Sequence, residues 1–186
     1  MDRTGLLRDV FLSAENINKG KTWQNTAGLE SNGRVTYQHG LDVAMNSFQS
    51  AQTHAVSDLE LTILAEQTFI MQELQFCDSS NTQVKSSLER AIKSFDDALC
   101  VLTVVSDPLL YEAVEKSYPN QKEYRYKSTP KDAFHSACIS HKARINNILK
   151  SPGINLIERQ LLSQRSSNMA TAQSIYLNMQ KKSLGL

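Results

Sequence analysis

Chemistry in this chain would have to come from its histidines, cysteines, carboxylates and guanidinium groups, and their spacing decides which reactions are open. Of four histidines, His141 stands apart, because it takes an apolar-face position between Cys138 and Ile145 with Lys142 and Arg144 beside it. A histidine so placed reads first as a core residue with a satisfied hydrogen bond. A general acid–base role would need a cleft and a partner carboxylate, which sequence alone cannot place. Glu66 and Glu73 are seven apart and share a helical face, a spacing common on solvated helices. A carboxylate-bridged metal pair in a helical bundle would want two Glu-x-x-His motifs, and the chain offers none. Only Asp132-x-x-His135 approaches one, and His135 falls off the apolar stripe, as a surface histidine would. The Cys and His spacings do not suit zinc, and no Gly-x-Ser-x-Gly elbow is present. The expectation is therefore no metal and no cofactor.

Two further spacings bear on phosphate chemistry. Gly20-Lys21-Thr22 follows the apolar Val10-Phe11-Leu12, as the end of a phosphate-binding loop follows a strand. Five residues before Gly20, however, stands Glu15, where the motif needs glycine and a carboxylate would repel phosphate. An ordinary glycine-containing loop is the better reading. Arg34-Val35-Thr36-Tyr37-Gln38-His39 matches the bare Arg-x4–6-His spacing of a class of small helical ribonucleases, whose Arg and His act on an RNA phosphodiester. That class carries the pair on a helix late in its domain, whereas here it lies in a glycine-rich early segment. Eight arginines and four histidines also supply such a spacing readily by chance. Arg34, His39 and His141 are the catalytic candidates, and their patterns favour a non-enzyme over an enzyme without deciding the matter.

Charge carries the clearest non-random signal. The net charge is +1, yet residues 1–77 hold 5 basic and 9 acidic side chains, and residues 130–186 hold 8 and 2. Lys142, Arg144, Lys150, Arg159 and Arg165 form the centre of this basic third and are the candidates for nucleic-acid contact, which requires such clustering. The competing reading is that the positive helices dock on the acidic first half or on a second subunit. Trp23 in a polar segment, with Tyr124 and Tyr126 in another, are candidate partner-binding anchors, or lids that pin their loops to the core.

The elements that would position these residues read as helices. Only 7 glycines and 4 prolines argue against an all-β fold. Residues 1–40 are the least regular, with four glycines between 20 and 40, and are expected to form an arm or long loop ahead of one helical domain at 41–186. Leu41, Ala44, Met45, Phe48 and Ala51 recur at helical spacing. Ser57 with Glu60 reads as a capping box opening the next helix. Val84, Leu88, Ile92, Phe95, Leu99 and Leu102 make the strongest stripe. Asp107-Pro108 and Thr129-Pro130 each read as a cap followed by a first-turn proline. After Ser151-Pro152-Gly153, Asn155 and Glu158 cap a last helix, whose stripe of Ile157, Leu161, Ala172, Ile175 and Met179 is broken at Gln164 and Asn168. The expected fold is all-α, an irregular antiparallel bundle of about five or six helices with a poorly regular N-terminal arm.

No apolar run approaches the ~20 residues of a membrane span, and the first residues do not resemble a signal peptide. Three cysteines in helical segments suggest reduced core residues and hence a cytoplasmic protein. The functional expectation is a non-enzymatic interaction protein that meets a protein partner or self-associates as a homodimer. The alternative is an RNA- or DNA-associated helical protein, a nuclease included, working through the basic helices.

Overall fold

The computed structural model describes residues 2–26, 30–78, 80–116 and 130–183, and within these it leaves the side chains of 15–16, 18–26, 30–36, 105, 130–133 and 179–183 undescribed. Seven helices and no strand occur among the described residues: α1 (Arg3–Thr26), α2 (Glu30–Thr53), α3 (Asp58–Phe76), α4 (Thr82–Ser106), α5 (Pro108–Lys116), α6 (Pro130–Leu149) and α7 (Leu156–Ser183). The protein is an all-α helical bundle.

The first 40 residues depart from expectation. Where the glycines suggested an arm, α1 runs unbroken to Thr26 and α2 crosses residue 40 without interruption. Leu6, Leu7, Val10, Phe11 and Ile17 share one buried face of α1, and Tyr37, Leu41, Ala44, Met45 and Phe48 do the same on α2. All but Leu6 belong to the same core cluster as the later helices. A helical glycine costs about 1 kcal/mol relative to alanine, and burial of such a stripe exceeds that cost several times over. The Gly20-Lys21-Thr22 triplet thus lies within a helix and not in a loop after a strand.

Side-chain bonds fix how neighbouring helices run. Arg3, at the start of α1, donates to the His54 carbonyl just past α2 at 2.6 Å and to both oxygens of Glu60 at 2.8 and 2.7 Å. This brings the two ends together, so α1 and α2 are antiparallel. Gln52 bonds Thr68 at 2.5 Å and Gln75 bonds Asp42 at 3.3 Å, which sets α3 antiparallel to α2. Arg159 donates to the Leu149 carbonyl at 2.9 Å, and Gln173 meets His135 at the far end of the same pair, so α6 and α7 also run opposite ways.

Helix α4 is the hub, packing on α1, α3, α5, α6 and α7. Its stripe of Leu88, Ile92, Phe95, Ala98, Leu99 and Leu102 is buried, while Val84 is partly solvent-exposed at the first turn. Phe95 meets Phe134 of α6 edge to face at 5.8 Å, and Phe134 lies 4.5 Å from the ring of Tyr176 of α7. Local signals close the elements. The Ser57 hydroxyl accepts from Glu60 N at 3.2 Å, although the Glu60 carboxylate turns to Arg3 and does not complete a reciprocal box. Asp107 accepts from Leu110 N at 3.0 Å to open α5. Asn155 and Glu158 form the reciprocal box in full, at 2.8 and 3.4 Å.

Helix α7 corrects a second expectation. Its buried stripe is Arg165, Met169, Ala172 and Tyr176, at spacings of four, three and four. Ile157 and Leu161, expected to lie inside, are 78% and 46% exposed. Gln164 and Asn168 bond each other at 2.8 Å on the outer face. The break in the expected stripe vanishes once Arg165 is counted among the buried residues.

Candidate functional site

The centre of interest is a cluster of charge where α3, α6 and α7 meet. Glu66 of α3 and Arg165 of α7 have side chains 5% and 6% exposed. Arg165 donates to Glu66 Oε1 from Nη2 at 2.7 Å and from Nε at 3.2 Å, and its Nη1 reaches Glu73 at 3.0 Å. Its guanidinium also lies 4.7 Å from the Phe69 ring centroid. Arg144 of α6 pairs with the other oxygen of Glu73 at 2.5 Å. Two carboxylates one heptad apart on α3 are thereby matched by two guanidinium groups from different helices. The spacing of Glu66 and Glu73, common on solvated helices, here serves an interior contact.

His141 completes the cluster. Its Nε2 lies 2.7 Å from Glu66 Oε1 and its Nδ1 lies 3.4 Å from Arg144 Nη2. Arg165 Nη2 also lies 3.4 Å from Nε2, but an ionised carboxylate only accepts, so the 2.7 Å contact puts a proton on Nε2, which donates to Glu66. The ring stands 6.3 Å from that of Phe95, nearly perpendicular to it. The partner carboxylate that sequence could not place is therefore Glu66, from 75 positions away.

The electrostatics follow from these bonds. Burial alone would push the Glu66 carboxyl up, but hydrogen bonds from His141 and Arg165, with the Arg165 charge, outweigh burial and hold it below the usual carboxylate range. Burial would likewise lower Arg165, and its bond to Glu66 reverses this, so the guanidinium stays firmly charged. Cys138, one turn before His141, is pushed up to about 12, chiefly by burial, and is inert as a nucleophile at neutral pH. Elsewhere, burial and the neighbouring Glu89 raise the Tyr37 phenol, which donates to Glu89 at 2.9 Å.

A cleft of about 250 Å³ opens beside the cluster, between α4 and α6. Ser87, Arg90 and Ser94 line it from α4, and Ser140, His141 and Arg144 from α6. An imidazole paired to a carboxylate beside a cleft is the arrangement that orients a general base. Here both ring nitrogens are already engaged and the side chain is 3% exposed, so the ring presents no open lone pair to a substrate. The geometry is that of a brace between helices. Among the described residues, no group of three or more His, Cys, Asp or Glu is placed to hold a metal ion.

The other sequence candidates scatter. Of the five basic residues, Arg165 and Arg144 are committed to Glu66 and Glu73, and Arg159 caps the α6 carbonyl end. Lys142 is half-buried and Lys150 exposed. His39 is exposed on α2, and the Arg34 side chain falls outside the described residues. Trp23 lies on α1 with its side chain also outside them, as do Tyr124 and Tyr126 entirely. His135 is exposed, as expected, and contacts Gln173. Sequence reading missed the serine-lined cleft and set Glu66 aside as solvated, because nothing in either local pattern distinguishes them from solvated helix faces.

No family model, curated protein or solved structure matches the chain. Among the described residues, no helix is long and apolar enough to cross a membrane.

Proposed function

We propose that the protein is a non-enzymatic helical interaction protein that engages a second copy of this chain through the first turns of α7. One observation carries this reading. Residues 155–161 are exposed at every position around the helix, yet they include Leu156, Ile157 and Leu161, at 69%, 78% and 46% exposure. An isolated stretch of helix is marginal in water, and large apolar side chains left bare on one favour association. Each such side chain contributes roughly 1.5–3 kcal/mol when fully covered.

The same stretch carries one acidic and one basic residue, Glu158 and Arg159, and the amides Asn155 and Gln160. A near-neutral face of this kind meets no like-charge barrier in its own copy, which favours a homodimer over a strongly charged partner. The nucleic-acid reading draws less support, because three of its five basic residues are held by acceptors within the fold.

Sedimentation equilibrium of the full chain tests the proposal. The expected result is a concentration-dependent dimer that Ile157→Asp with Leu161→Asp converts to a folded monomer of unchanged helical content. A wild-type chain that stays monomeric at all concentrations, or a dimer indifferent to both substitutions, would overturn it.

A further inference from the structure

The cleft between α4 and α6 has a chemistry that the brace does not use. Its lining positions fall at 87, 90, 91 and 94 on α4 and at 136, 137, 140, 141 and 144 on α6, so each helix presents one face to the opening. The hydroxyls of Ser87, Ser136 and Ser140 make no hydrogen bond among the described residues, while that of Ser94 bonds back to the Arg90 carbonyl at 2.9 Å. Arg90 forms no ion pair among the described residues, and its Nε reaches only the Ser86 carbonyl, at 3.4 Å.

The local charge balance decides the sign of a ligand. Glu66 and Glu73 are matched by Arg165 and Arg144, which leaves Arg90 as surplus positive charge at the cleft. No carboxylate lines the opening. Several hydroxyl donors around one uncommitted guanidinium, with an arginine already fixed by Glu73 opposite, suit a small oxyanion. At about 250 Å³ the space is below the usual range for drug-sized ligands, and fits a phosphate group better than a whole nucleotide.

We propose that this cleft is a binding site for a small phosphate-bearing anion, held by Arg90 and the serine hydroxyls of α4 and α6. Arg144 contributes a positive rim and stays bound to Glu73. The site is independent of the α7 association surface, since no residue is shared.

The test is a titration of the full chain with inorganic phosphate and, separately, with ribose 5-phosphate, at ionic strength held constant with sodium chloride. Amide chemical shifts are followed by NMR. The expected result is saturable shifts confined to α4 and α6 around Ser94 and Ser140. Arg90 is exposed, so Arg90→Gln should fold normally and bind about tenfold more weakly or worse, as befits loss of a charged hydrogen bond. Tighter binding of ribose 5-phosphate would identify a phosphomonoester as the source, and equal binding the free ion. Shifts that never saturate, shifts scattered over surface lysines, or equal binding by Arg90→Gln would each overturn the proposal.

Discussion

Two stretches of α7 invert each other. Over 155–161 the helix is exposed on all sides and leaves Leu156, Ile157 and Leu161 in solvent. One turn later Arg165 is 5% exposed. The apolar residues are out and the strongest base is in. Burial here is set by what a position faces. The first turns meet a neighbour through Arg159, which bonds the Leu149 carbonyl of α6, and leave their apolar side chains uncovered, whereas Arg165 faces two carboxylates on α3 placed one heptad apart. A charged side chain enters a core when its partners are already aligned for it, at a desolvation cost that only such a complete set offsets.

Breaking the inner stretch should have the largest effect. Arg165→Ala leaves Glu66 buried with His141 as its remaining donor and should destabilise the fold by about 3–5 kcal/mol, read as a lower urea midpoint. Arg165→Met combined with Glu66→Gln should recover most of that loss, because together the two changes leave no buried charge unpaired and Glu73 keeps Arg144. A double variant no more stable than Arg165→Ala would mean that packing, not charge, is what Arg165 supplies.

Acid should sharpen the contrast. The folded-state value of Glu66 is depressed, so its contribution is complete above its ordinary value of 4.5 and is lost as pH falls through the lowered one. Thermal midpoints should therefore drop steeply below about pH 4.5, and the slope should be shallower in Glu66→Gln, whose amide does not titrate. Parallel slopes in the two proteins would assign the acid sensitivity to other carboxylates.

The outer stretch should respond least. It is held by the Asn155–Glu158 box, so Asn155→Ala should cost about 1 kcal/mol. That loss should appear as faster amide exchange confined to the first turn of α7. Faster exchange spreading to Arg165 would show that the two stretches open as one unit.

Much of this bundle was legible in the chain before its structure. The α4 stripe, the Asp107-Pro108 break, the reciprocal cap at Asn155 and Glu158, and the face of Phe134, Cys138, His141, Ile145 and Ile148 all follow from local spacing, although Ile148 is only half-buried. Two things did not. Residues 1–40 read as an arm because glycine and polar residues lower local helix preference, and only the packing of Leu7, Val10 and Phe11 on other helices restores it. The brace was invisible because each member looks ordinary alone. Glu66 resembles a solvated glutamate and Arg165 a surface base until the fold joins them. His141 was the exception, since its apolar-face position flagged it, though not its partner.

The two ends of the Glu66–Arg165 pair are 99 residues apart in the chain. No local fluctuation assembles such a contact, and the loop between its ends must already be closed before the bond forms. The brace is accordingly expected to form late in folding, and a contact absent from the transition state slows escape from the native state without hastening its formation. In kinetic terms it is expected to act as a latch, setting how long the bundle stays shut, with Arg165→Ala raising the unfolding rate and leaving the folding rate nearly unchanged.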